Sequence, residues 1–111
     1  MAIKGGGAAF AWVHAYGSNG SIIDDFNVSS VSRNSAGVYT INFSSNSPSA
    51  NYAVVGSGEW GSGGSYRRVV TCGCGENSTK QTNRVQIFNT NPSNTQQFDP
   101  SKFHCIIFET A

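Results

Sequence analysis

A chain of 111 residues with a net charge of +1 is long enough for one domain with one core. Charged residues make up 12% of it, against about 25% in ordinary soluble domains, so charge gives no reason to expect nucleic acid or an anionic membrane as a partner. The longest apolar run, residues 8–13, is far short of the ~20 needed to span a bilayer, and no signal peptide is expected from the N-terminal residues.

Polar character comes from Ser, Asn, Thr and 13 Gly, which favour turns and weaken helices. With 12% aromatics the chain can still build a core, so the composition predicts β structure rather than disorder. Residues 1–7 (MAIKGGG) are read as a flexible arm, and residues 8–111 as a single β domain. Residues 8–16 alternate as a strand, with Phe10, Trp12, His14 and Tyr16 on one face and Ala9, Ala11, Val13 and Ala15 on the other. His14 reads as a packed or hydrogen-bonded side chain at the edge of the core, because no acidic, serine or cysteine pattern beside it marks a ligand or a base. Residues 17–20 form a turn, and Asp24-Asp25 reads as a solvated turn, since neighbouring strand positions point apart and no calcium-loop spacing follows.

Residues 26–32 form the next strand, and 33–37 a hairpin turn into Val38–Phe43, where Tyr39, Ile41 and Phe43 share a face. A polar loop with Pro48 leads to a strand over 51–58, predicted to pair antiparallel with 38–43 as a long hairpin. Trp60 and the Gly/Ser loop 61–65 follow, then strands over 66–72, 84–89 and 103–109, separated by polar loops at 75–83 and 91–100. This pattern predicts an all-β fold, an antiparallel β-sandwich or jelly-roll-like domain of about seven strands with no significant helix. The predicted core is Trp12, Val28, Tyr39, Ile41, Phe43, Val54, Val70, Ile87, Cys105 and Ile107.

The order Ala11-Trp12-Val13, Gly20-Ser21-Ile22, Phe26-Asn27-Val28-Ser29-Ser30-Val31, Gly37, Tyr39-Thr40, Asn42-Phe43, Pro48, Ala50-Asn51-Tyr52-Ala53-Val54 and Gly56-Ser57-Gly58 resembles a small β domain found at the ends of phage tail-fibre and other phage virion proteins. The likeness covers residues 10–58, and beyond Trp60 nothing matches position by position. It implies a place, the virion (assembled in the cytoplasm of the bacterial host), and an architecture, but it brings no catalytic residues.

The remaining question is whether any cluster carries chemistry. Cys72, Cys74, His104 and Cys105 are thiol and imidazole groups of the kind that bind zinc. Their spacing is not that of a standard zinc motif, however, and His104 and Cys105 on one strand point to opposite faces, so no metal site is assigned. A disulfide from Cys105 to Cys72 or Cys74 would still leave one of the three cysteines over, and buried reduced thiols are preferred. Arg67 and Arg68 read as two surface arginines. No Walker loop, nucleophile elbow, HExxH motif or marked carboxylate pair is present, so no enzyme activity and no cofactor are expected.

The expectation is therefore a virion structural protein of tail-fibre or baseplate type that mediates assembly and host-surface attachment. The alternative is a capsid decoration (cement) protein, which a chain of this length without a shaft also suits. An enzyme acting on host glycans ranks last. The expected partners are other copies of the chain in a trimer, other virion proteins, and a host-surface glycan or protein. Contact loops are placed at Ser18 and Asn19, at Trp60 and Ser62, and at Asn94 and Gln96. The small-residue row Ala9, Ala11 and Ala15 is the candidate for close approach at a threefold axis.

Overall fold

The structure, a computed structural model, describes residues 9–59, 71–74, 79–90 and 97–108. Eight strands fall among them: β1 (Ala9–Tyr16), β2 (Ile22–Phe26), β3 (Val28–Ser35), β4 (Val38–Phe43), β5 (Ala53–Glu59), β6 (Thr71–Cys74), β7 (Arg84–Thr90) and β8 (Lys102–Phe108). There is no α-helix among the described residues. The arm 1–7, Val70, the loop positions Trp60, Ser62, Asn94 and Gln96, and the arginines at 67 and 68 lie outside the described residues.

The strands form two antiparallel four-stranded sheets, ordered β2-β1-β8-β5 and β3-β4-β7-β6. Period-2 alternation gives each sheet one apolar face, and the two faces pack together as a sandwich. Ala11, Val13, Ala15, Phe103, Cys105 and Ile107 from the first sheet meet Val28, Tyr39, Ile41, Phe43, Val85 and Ile87 from the second. Tyr52, on the approach to β5, closes one end and meets Phe43 edge-on, with ring centroids 5.7 Å apart.

Several expectations are corrected by this arrangement. β4 and β5 do not pair: β4 lies between β3 and β7, and β5 is an edge strand beside β8 in the other sheet. The loop between them crosses from sheet to sheet, a path open to a loop of this length as readily as a hairpin. Asp24 and Asp25 are in β2, not in a turn, with Asp24 exposed and Asp25 half-buried. The predicted strand over 26–32 is broken at Asn27, whose positive φ of 59° turns the chain from the first sheet into the second. Its side chain holds that turn: Nδ2 donates to the Phe10 carbonyl (3.2 Å), and Oδ1 accepts from the Ser45 amide (3.1 Å) and hydroxyl (2.9 Å).

The first strand faces the other way from the core prediction. Ala11, Val13 and Ala15 are buried, while Trp12 is half-buried on the outer face. Small residues face inward there, in one packed cluster with large side chains of the opposing sheet such as Tyr39 and Ile41. Ala11 and Ala15 are 0% exposed within a single chain, so they cannot line an axis between chains. Val54 is half-buried against the core. Val28, Tyr39, Ile41, Phe43, Ile87, Cys105 and Ile107 are buried as predicted.

One end of the sandwich is tied by Asp99. Its carboxylate accepts from the Arg33 guanidinium (Nη2 at 2.8 Å), from the Gly37 amide (2.8 Å) and from the Tyr39 hydroxyl (2.9 Å). The same hydroxyl lies 2.6 Å from the Gly17 carbonyl, and the Tyr39 ring packs on Phe103 at 4.4 Å. Gly37 has φ +74°, and a Cβ there would stand 2.6–2.7 Å from backbone atoms of Asn89 and Phe98. At the other end the Tyr52 hydroxyl shares its proton between the Gln81 (2.7 Å) and Arg84 (2.9 Å) carbonyls. Burial pushes the Tyr52 phenol up to about 12, against the opposing effect of the Gln81 bond.

Candidate functional site

The outer face of the β2-β1-β8-β5 sheet can be read row by row from its register, because residues directly opposite on neighbouring strands share a face. One row runs Phe26, Trp12, Ile106, Val55 across all four strands. Phe26 is 52% exposed, Ile106 37% and Val55 56%. The next row is Asp24, His14, His104, Ser57. The third is Tyr16, Lys102, Glu59. An apolar band therefore lies directly beside a polar, titratable one.

His14 and His104 are direct cross-strand partners, and their rings stack with centroids 4.3 Å apart and planes 12° from parallel. Glu59 sits diagonally across from His104. One of its carboxylate oxygens, Oε2, lies 2.9 Å from His14 Nε2 and 2.7 Å from His104 Nε2. A carboxylate can only accept, so both imidazoles donate from Nε2. Partial burial acts to raise the Glu59 carboxyl, and the two imidazole donors outweigh it, holding it below the ordinary carboxylate range. Lys102 is the direct partner of Glu59, yet its ammonium lies over the Tyr16 ring, 6.0 Å from the centroid. Asp24, beside His14 in register, accepts the Asp25 amide at 2.9 Å.

This cluster was not legible as a site. His14 is hydrogen-bonded and ring-stacked, as its reading allows, but on the outer face of an inner strand and not at the edge of the core, and its partners are 45 and 90 positions away in the chain. Alternation places His14 with Trp12 and Tyr16, and His104 with Ile106 and Phe108. The missing information was the β1–β8–β5 adjacency that brings those rows together.

The cysteine cluster does not converge. His104 points outward from β8, while Cys105 is buried in the core. Cys74 lies on β6 of the other sheet as a free thiol, so it is not bonded to Cys105, and the side chain of Cys72 is outside the described residues. Ser18 and Asn19 form an exposed turn in which Asn19 Oδ1 accepts the Ser21 amide at 2.9 Å. The outer face of the second sheet has a depression of about 260 Å³ lined by Thr40, Thr79, Arg84 and Gln86. Arg84 is the one charged group among the described residues of that lining. Comparisons with family models, with curated proteins and with solved structures found no match to this chain.

Proposed function

We propose that this chain is a structural and binding protein of a bacteriophage virion, of tail-fibre or baseplate type, that works by docking and not by catalysis. The observation that carries the docking part is the row Phe26, Trp12, Ile106, Val55, which crosses all four strands of one sheet and leaves Phe26, Ile106 and Val55 exposed with Trp12 half-buried between them. Water contact with such a row is unfavourable, and covering it gains about 25 cal/mol for each Å² of apolar surface removed from solvent. The occupant we assign is another copy of the chain. A band of like apolar residues is complementary to itself, and closed cyclic assemblies are the usual way identical chains cover such surfaces. The virion setting rests on the likeness of residues 10–58 to phage fibre domains, and so does the threefold form of the assembly. Other virion proteins and a host-surface glycan or protein would then meet the loops at the ends of the sandwich, the exposed Ser18–Asn19 turn among them.

Light scattering on the eluting protein tests the docking reading. The expected result is a trimer at micromolar concentration that becomes a monomer in a Phe26→Ser, Val55→Ser double variant. A wild-type monomer at about 12 kDa across the concentration range, with no assembly on addition of virions, would overturn it. Labelling the protein on virions by electron microscopy separates tail from head, and label on the head would replace the fibre reading with capsid decoration.

A further inference from the structure

We propose that His14, His104 and Glu59 form a binding site for a divalent transition metal of the zinc class on the outer face of the first sheet. The sequence contains two histidines, and the fold brings both to one carboxylate oxygen. The ligand atoms of all three residues lie within 4.8 Å of one another. Two imidazole nitrogens and a carboxylate oxygen are a donor set that suits zinc, and three protein ligands leave a fourth position open.

The ion can be accepted by side-chain adjustment alone. Ligand atoms bound tetrahedrally at 2.0–2.1 Å stand about 3.3 Å apart. The two nitrogen–oxygen separations are now 2.9 and 2.7 Å, so each must open by roughly half an ångström. All three side chains project from paired strands, which fixes their Cα positions and leaves only side-chain torsions to adjust. Both Nε2 atoms lie against the same Glu59 oxygen, but the rings are stacked within 12° of parallel, so they must rotate about their side-chain torsions for the two in-plane lone pairs to converge on one ion. On binding, each imidazole offers its Nε2 lone pair to the metal and carries its proton on Nδ1. The side chains are 29%, 41% and 43% exposed, so the ion has a path from solvent. Lys102 does not occupy the site, because its ammonium is over Tyr16. Bound metal would clamp β1, β8 and β5 through their side chains. The inference stands apart from the virion reading and does not depend on it.

The test is calorimetric titration of zinc chloride into the full chain, free of any affinity tag, stripped with chelator and kept reduced. The expected result is one zinc per chain, with affinity reduced about tenfold or more in His14→Ala and in His104→Ala, and reduced in Glu59→Gln. A Cys72→Ser, Cys74→Ser variant should bind as the wild type does. A measurement on the unsubstituted chain guards against misfolded variants. With ring nitrogens labelled, one equivalent of zinc should move the Nε2 resonances of both histidines and leave Nδ1 protonated. Cobalt provides a further check, since thiolate ligation would give an intense charge-transfer band that this site cannot. Absence of saturable zinc binding would overturn the proposal. So would binding that survives the double histidine variant, histidine resonances that do not move, or a thiolate band with cobalt.

Discussion

The two outer faces of the sandwich solve the same problem in different ways. Behind each lies an apolar inner face of similar quality, with Ile107 and Ile41 both 0% exposed. On the β3-β4-β7-β6 sheet the outer rows through Thr40 and Asn42 are polar and their side chains bond to one another, while the one apolar pair facing outward among the described residues of β4 and β7, Val38 and Phe88, is covered, with Val38 buried and Phe88 half-buried. The Thr40 hydroxyl donates to Asn34 Oδ1 at 2.7 Å, Gln86 Nε2 reaches the same oxygen at 3.3 Å, and Asn42 Nδ2 donates to Ser30 Oγ at 3.0 Å. This is a mesh of hydroxyls and amides that water can complete. The β2-β1-β8-β5 sheet instead exposes an apolar row and a His–Glu–His cluster. Folding requires only that outer positions tolerate water, and the second sheet shows how this chain meets that requirement. The departures on the first sheet are therefore the ones to explain by function.

The largest expected effects come from the inner faces, where the two sheets should behave alike. Ile41→Ala on one sheet and Ile107→Ala on the other should each cost about 2–5 kcal/mol in denaturant unfolding, as transfer and cavity terms add. A loss below about 0.5 kcal/mol on either side would show that the inner faces are not equivalent, and the contrast between the outer faces would lose its baseline.

Next comes the Asp99 tie, which joins the start of β4 to the approach to β8 and so links the two sheets. Asp99→Asn should cost about 1–3 kcal/mol, because hydrogen bonds to a charged acceptor are replaced by neutral ones. Burial acts to raise the Asp99 carboxyl, but the bonds from Arg33, Gly37 and Tyr39 outweigh it and hold it below its ordinary 3.8. The folded-state value is therefore depressed. Its contribution is present in full above about pH 4 and fades as pH falls through the folded value. Stability curves of wild type and Asp99→Asn should run apart above that pH and converge below it. Curves that stay parallel down to pH 2 would remove Asp99 as the titrating tie.

The strands were largely legible because alternation of Tyr39, Ile41 and Phe43, or of Phe103, Cys105 and Ile107, is a local property. The partner of each strand is not. β4 and β5 are consecutive and separated by a loop of hairpin length, yet they belong to different sheets. β2 was hidden by Asp24-Asp25, acidic residues that a short edge strand tolerates because Asp24 faces solvent. Alternation separates Trp12 from Ala11, Val13 and Ala15 but does not say which set faces inward; that depends on the opposing layer, where Tyr39, Ile41 and other large side chains share the core with the small residues of β1. The candidate site suffered most. His14, Glu59 and His104 stand on three separate strands, and each is unremarkable in its own stretch.

On the first sheet's outer face, Phe26→Ser and Val55→Ser should each change chain stability by about 1 kcal/mol or less, since both side chains are more than half exposed. Their combined effect on association should be far larger. A double variant that melts with the wild type but no longer assembles would separate a docking surface from a structural one. Loss of folding with no effect on assembly would make the row part of the fold, and the contrast between the faces would then be one of packing.

The smallest effect is expected from Asn34→Ala on the other outer face, and a null result there carries the most information. Asn34 is exposed at the end of β3 and accepts from Thr40 and Gln86. Removing its amide takes away two hydrogen bonds, one of them long at 3.3 Å. Neither donor is fully buried, so water replaces the lost acceptor and no unsatisfied group is stranded. The net cost should be about 0.5 kcal/mol in urea unfolding, with no change in assembly and none in zinc uptake. A cost near 2 kcal/mol would show that the mesh is a cooperative network and not a set of solvated pairs. A change in assembly state would be more serious, because it would place the contact surface on the polar sheet and leave the apolar row on the first sheet without a role.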